Sequence, residues 1–197
     1  MRDAEVSQFL SNLLLHNHKE KPIMKSLLLL FVSMLTLNAS VLSQDTFKKV
    51  NVGHTFSLSL PNYFTKTTGL NSVASIQFKS EVRDVYGFII VDTKEELQLA
   101  DIVFTSIQEY HNSFIESFLT DQKNRDVGTP KKSNVGSFKY LENEISYFDE
   151  NAQTDITYYV GLVETGRAYY KLLCWTTKEK KDLFKKDFNT MLTSIKD

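Results

Sequence analysis

An α+β fold is predicted for this 197-residue chain by three features. Strand-like alternation fills residues 56–91, a helical stripe follows, and then strands and a second helical stripe close the chain. Connections between the later strands are short, so successive strands should pair antiparallel. The order strands, long helix, strands, helix is that of an antiparallel sheet with two helices packed on it.

Phe56, Leu58 and Leu60 alternate with Ser57 and Ser59, a half-buried strand ending at Pro61. Thr65 to Asn71 is polar, contains Gly69, and reads as a loop. Ala74, Ile76 and Phe78 alternate with Ser75, Gln77 and Lys79, a second strand. Tyr86 to Val91 is apolar apart from Gly87 and reads as a strand covered on both faces.

Thr93 to Glu96 has capping-box spacing, in which each side chain satisfies the other residue's free backbone N–H. Leu97, Ala100, Phe104, Ile107, His111, Phe114 and Phe118 then recur at three and four, widened by Val103 and Tyr110. This predicts one long amphipathic helix ending near Leu119. Asp121 to Ser133 is polar, holds Gly128 and Pro130, and is the expected mobile loop.

Phe138 to Phe148, Ile156 to Thr165 and Arg167 to Thr176 are three strand patterns in a row. Asp149 to Thr154 and the Thr165–Gly166 tip are the turns between them. Leu172, Leu173, Cys174 and Trp175 leave neither face polar, so the last strand belongs at the sheet centre with helices on both sides. Thr176-x-x-Glu179 is a second capping box. Leu183, Phe184, Phe188, Met191, Leu192 and Ile195 form the stripe of a closing helix, with Lys178, Lys181 and Lys185 on its other face.

Ahead of this body stands Met24 to Gln44, with the anatomy of a cleavable export signal. Lys25 supplies the charge, and Leu27 to Leu37 is apolar except for Ser33 and Thr36. Val41 and Ser43 suit a cut before Gln44, and a cut after Ala39 is the second choice. A spanning helix needs about 20 apolar residues, more than this run offers. No Cys lies near the cut, so lipid attachment there is not supported. Residues 1–23 are read as an upstream extension, with Met24 the true start; the alternative is a long charged leader. Residues 44–197 are one domain, secreted or periplasmic after cleavage, with no integral membrane span in the mature form.

Residues 1–43 hold four of the 23 Lys and Arg and three of the 24 Asp and Glu, so the remainder balances at −2. A chain so near neutrality carries no electrostatic footprint for nucleic acid. The lone Cys174 excludes an internal disulfide, so the core must suffice by itself. Few Gly and Pro and no repeat argue against a linker or an array.

The opening "FSLSLPNYF", the strand "ASIQFKS" and the close "YYKLLCWTTKEKKDLFKKDFNTMLTSIK" resemble the PsbP-like fold group, which includes small exported bacterial proteins related to DcrB. The likeness lies in Phe56 to Pro61 and Tyr169 to Ile195, with Trp175–Thr176 before the last helix and Ser194–Ile195 at its end. It implies an α-β-α sandwich serving as an accessory or binding module, with no enzyme activity, no catalytic residues and no cofactor.

Asp149, Asn151, Gln153 and Asp155 alternate like a calcium loop, but Thr154 and Val160 stand where Gly and Glu are needed. His111 lies on an apolar stripe without a zinc motif, so no metal site is expected. Cys174 has the surroundings of a core thiol rather than a nucleophile. A hydrolase built on Glu142, Glu144 and His111 requires all three to meet in one cleft. The pairs Tyr158–Tyr159 and Tyr169–Tyr170 should place one tyrosine ladder on each sheet face. Together with Trp175 these four are the candidate ligand-binding residues, as core packing or as an aromatic groove. The expected partner is an envelope protein, docking at the sheet edge or beside Asp121–Ser133, or a small apolar or aromatic ligand held between sheet and helix.

Overall fold

Strand pairing in the computed structural model, which describes residues 46–197, centres on Ala168–Thr177. The predicted leader and start lie outside the described residues. In chain order the strands are β1 (Phe47–Val52), β2 (Phe56–Pro61), β3 (Thr65–Lys66), β4 (Ile76–Ser80), β5 (Val85–Thr93), β6 (Lys123–Val127), β7 (Lys131–Val135), β8 (Phe138–Asp149), β9 (Thr154–Glu164) and β10 (Ala168–Thr177). Three helices, α1 (Lys94–Leu99), α2 (Ile107–Ile115) and α3 (Lys181–Thr193), complete the described elements.

β10 pairs antiparallel with β5 on one side and β9 on the other. The eight-stranded sheet runs β3-β4-β5-β10-β9-β8-β6, with β7 also on β8, while β1 and β2 form a separate hairpin. Alternation along β10 sends Tyr170, Leu172 and Cys174 into one core and Tyr169, Leu173 and Trp175 to the other side. The first core lies under α3 and the hairpin, through Phe184, Phe188, Met191, Phe56, Leu58 and Leu60. The second lies under α2, through Ile107 and Tyr110. The α+β class and the three-layer arrangement are therefore as predicted.

The hairpin is tied to the chain end. Ser57 bridges Lys196, and Ser194 Oγ accepts from the Ser59 N–H at 2.8 Å. Its first strand, Phe47–Val52, had no alternation strong enough to predict it, because only Val50 is buried.

The predicted long helix is two short ones. Thr93 does cap α1 as a capping box with Glu96. However, Ala100 ends that helix and Asp101 turns left-handed at φ 56°. The Asp101 N–H reaches Gln98 O at 3.1 Å and the Ile102 N–H reaches Leu97 O at 2.8 Å, the paired bonds of a Schellman stop. Ser106 then caps α2 by accepting from the Glu109 N–H at 3.2 Å, and the Thr105 N–H and hydroxyl both reach the Glu109 carboxylate. The Ser106-x-x-Glu109 start signal outweighed the continuous stripe.

Two further expectations are corrected. Asp121–Ser133 is not a free loop: β6 and the start of β7 lie in it. The Thr176-x-x-Glu179 box is not used, since α3 begins from Lys180 with no side-chain cap, and Leu183 points to solvent.

Tight packing of β5 on β10 depends on Gly87. A methyl there meets Phe78 Cε2 at 2.5 Å, Cys174 Sγ at 2.8 Å and the Leu173 carbonyl at 2.9 Å. Backbone cannot retreat as a side chain can, so Gly87→Ala should destabilise by about 3 kcal/mol in urea unfolding. Gly166→Ala, with open space around it, should change stability by less than about 0.5 kcal/mol. Equal losses at both positions are the contrary result.

Candidate functional site

The β6–β7 edge, the β8–β9 pair and α3 together enclose a cleft of about 310 Å³. Glu142 and Glu144 project from alternate positions of β8 onto the α3 side, beside Tyr159 of β9 and Lys185 of α3. Gly128, Thr129 and Lys131 form the rim. Glycine is needed there, because a Cβ at Gly128 stands 2.9 Å from the Glu144 carbonyl, to which the Gly128 N–H donates.

The two carboxylates have different partners. Glu144 accepts from Lys181 Nζ and Lys185 Nζ, each at 2.6 Å. Burial works against its charge, yet the two ammoniums win and hold its carboxyl below the ordinary range. Glu142 accepts from the Tyr159 hydroxyl at 2.7 Å and from Asn189 Nδ2 at 3.4 Å, both neutral donors. Burial, and then Glu142 beside it, push the Tyr159 phenol well above its usual value, so it stays a proton-bearing donor. Deeper in, a small space is lined by Glu144, Thr157, Thr176, Lys181 and Phe188. Thr157 is 5% exposed, and its Oγ1 finds no hydrogen-bond partner among the described residues. This arrangement can hold a polar group.

His111 does not reach this cleft. It packs on the opposite sheet face, with Nε2 3.2 Å from Asn143 Oδ1. Glu142, Glu144 and His111 therefore do not meet as the hydrolase reading requires. Cys174 is wholly buried, and burial raises its thiol well above the ordinary value. Asp149 Oδ1 accepts from the Asn151 and Ala152 N–H groups, so its carboxylate closes its own hairpin turn.

Of the five predicted aromatic residues, Tyr158, Tyr169 and Trp175 lie on the α2 side and Tyr159 and Tyr170 on the α3 side, but no tyrosine ladder forms on either face, since Tyr158 stands opposite Trp175 and Tyr159 opposite Cys174. On the α2 side Trp175 stacks between Tyr86 and Tyr158, with ring centroids 5.5 and 5.1 Å apart. Tyr169 stacks on Tyr110 of α2 at 4.3 Å. On the α3 side Tyr159 serves the cleft, and Tyr170 packs on Phe56 with its hydroxyl 3.2 Å from Asp197. They do not form one groove. Stacked faces are used up by neighbouring rings, which is the behaviour of packing.

Tyr169 also floors a second depression of about 330 Å³ at the α1–α2 corner, with Leu97, Ile102, Val103 and Phe104 around it. No residue of α1 is buried, and Leu99 and Val103 stay 81% and 73% exposed. This apolar corner was hidden in the sequence by the unbroken helical stripe.

No family model matches the chain, and no curated protein matches it in sequence. Solved structures do match in fold. The cyanobacterial PsbP protein CyanoP from Synechocystis sp. PCC 6803 superposes with a TM-score of 0.56 at 11% identity, over 80% of this chain and 96% of that one. LpqN of Mycobacterium tuberculosis, described as involved in cell envelope biogenesis, gives 0.51 at 12% identity over 76% and 89%. A protein from Bacteroides thetaiotaomicron gives 0.51 at 12%, over 78% of this chain and 48% of its own. The fold is PsbP-like, as the sequence resemblance implied. Among the described residues no helix is long and apolar enough to cross a membrane.

The Glu144 bridges give a pH test. A carboxylate lowered on folding contributes stability above its ordinary value, 4.5, and loses it as pH falls through the lower folded value. Wild type should exceed Glu144→Gln by up to about 1 kcal/mol at neutral pH, the ceiling for a partly exposed bridge. That gap should close as pH falls below the ordinary carboxylate range. A gap unchanged across the range contradicts this account of the cleft.

Proposed function

We propose that this chain is an exported, non-enzymatic accessory module of the cell envelope that works by binding another protein. The observation that carries the reading is the β6–β7 edge. All five side chains of β7 are exposed, and β7 pairs with β8 and with no other strand among the described residues. Sheets usually protect such a row of free N–H and C=O groups, so an open one invites a partner strand. The leader-like Met24–Ser43 supports export to the periplasm or beyond. LpqN, built on the same fold, is a protein of envelope biogenesis, which lends the setting support.

A second reading is favoured by the apolar corner at Leu97, Ile102, Val103, Phe104 and Tyr169. Here the chain carries a small apolar or aromatic ligand between sheet and helix. A depression of this size suits a small molecule rather than a long lipid chain.

Crosslinking in the native envelope, with peptide mapping, separates the two. The accessory reading expects a protein crosslinked through residues 123–135. A chain that enters the envelope fraction and crosslinks to nothing contradicts it. Bound small-molecule mass in native mass spectrometry, lost in Val103→Asp, marks the carrier instead.

A further inference from the structure

We infer that β7 receives an extended acidic segment of a partner protein, added as an antiparallel strand with two adjacent acidic residues set against Lys131 and Lys132. This deepens the accessory reading and rests on it.

β6 and β7 lie end to end on one edge of β8, pairing with Ile145–Phe148 and Phe138–Glu142 respectively. Between them the Gly128 N–H to Glu144 O bond, 2.8 Å long, continues the ladder. The irregular register in β6 and Pro130 confine the regular free edge to β7. Pro130 also lacks the N–H that a longer added strand needs.

Charge selects the occupant. Lys123, Lys139, Lys181 and Lys185 around this edge each pair with a glutamate. Lys131 and Lys132 have no carboxylate within 4.0 Å among the described residues. Lys131 stands opposite Glu142 on the α3 side, and Lys132 opposite Leu141 on the other side. Adjacent strand residues face opposite ways, so answering both lysines takes two consecutive acids, one per face. Val135, 63% exposed, shares the Lys131 side and favours a β-branched residue across from it. Read antiparallel, the complement of Lys131–Val135 is Val-Thr-Thr-Glu-Glu. A second copy of this chain fits poorly, because β7 contains no acidic residue to answer its own lysines.

Amide NMR of the mature chain tests this with two synthetic probes, Ac-Thr-Val-Thr-Thr-Glu-Glu-Val-NH2 and its Lys-Lys counterpart. The expected result is saturable shifts confined to β7 and its β8 partners with the Glu-Glu probe. Affinity should drop at least about tenfold when salt rises from about 0.05 M to about 0.5 M. The Lys-Lys probe should not bind. In Lys131→Glu/Lys132→Glu, whose exposed positions leave the spectrum of the core unchanged, the preference should reverse. Binding of neither probe, equal binding of both, shifts away from β7, or slowed β7 amides on self-association without peptide each overturn the inference. A native crosslink through residues 123–135 without binding of the Glu-Glu probe removes this inference alone. A chain without any protein partner removes the accessory reading as well.

Discussion

Burial of both faces of one strand holds this molecule together. β10 carries Leu172, Leu173, Cys174 and Tyr170 at 1% exposure or less, divided between two cores. Fully burying a leucine contributes about 1.5–3 kcal/mol, so one strand anchors both outer layers. With no disulfide available, the hairpin and α3 on one side and α2 on the other depend on this strand and its β5 and β9 neighbours. Moving away from it toward β7, burial falls: β9 is buried on both faces from Tyr159 to Glu164, β8 alternates buried with half-buried positions, and β7 is exposed throughout. The proposed binding edge is the far end of that gradient.

One polar connection interrupts the apolar logic. Lys171 lies between the rings of Tyr110 and Phe114 and pairs with Asp92 at 2.8 Å. The Tyr110 hydroxyl donates to the same carboxylate at 2.5 Å. Apolar contact alone permits α2 to slide, whereas a directed donor to a partly buried carboxylate sets its position. Arg125 adds a tie at the other end of α2, donating to the Ile115 and Phe118 carbonyls that the helix leaves open. Hence β6, though exposed, is fastened to the layer behind it. Among the described residues β7 has no such tie, which leaves its edge open for the proposed added strand.

Much of the fold was legible because two-faced strands and α3 write strong patterns. Phe56–Leu58–Leu60, Tyr86–Val91 and Leu172–Trp175 each hold their predicted place. Misreadings arose where the physics is local or weakly patterned. Asp101 ends α1 in a conformation usually marked by Gly, so the stop carried no familiar letter. Lys-Asn-Arg-Asp-Val and Lys-Lys-Ser-Asn-Val bury almost nothing, and a strand without a buried face has no alternation to read. Of the candidate site residues, tyrosine parity fixed which face each ring takes. It could not fix neighbours, because Glu142, Lys131 and Lys185 meet Tyr159 from three other elements.

Native-state amide hydrogen exchange tests the central dependence most directly. Amides of Leu172 to Cys174 should exchange only through global unfolding, with those of β5 and β9 close behind. The outward amides of β7 should exchange at nearly the free rate in the isolated protein. If β10 opens before the hairpin or α2, or if β7 in the isolated chain is as protected as β10, the account is contradicted.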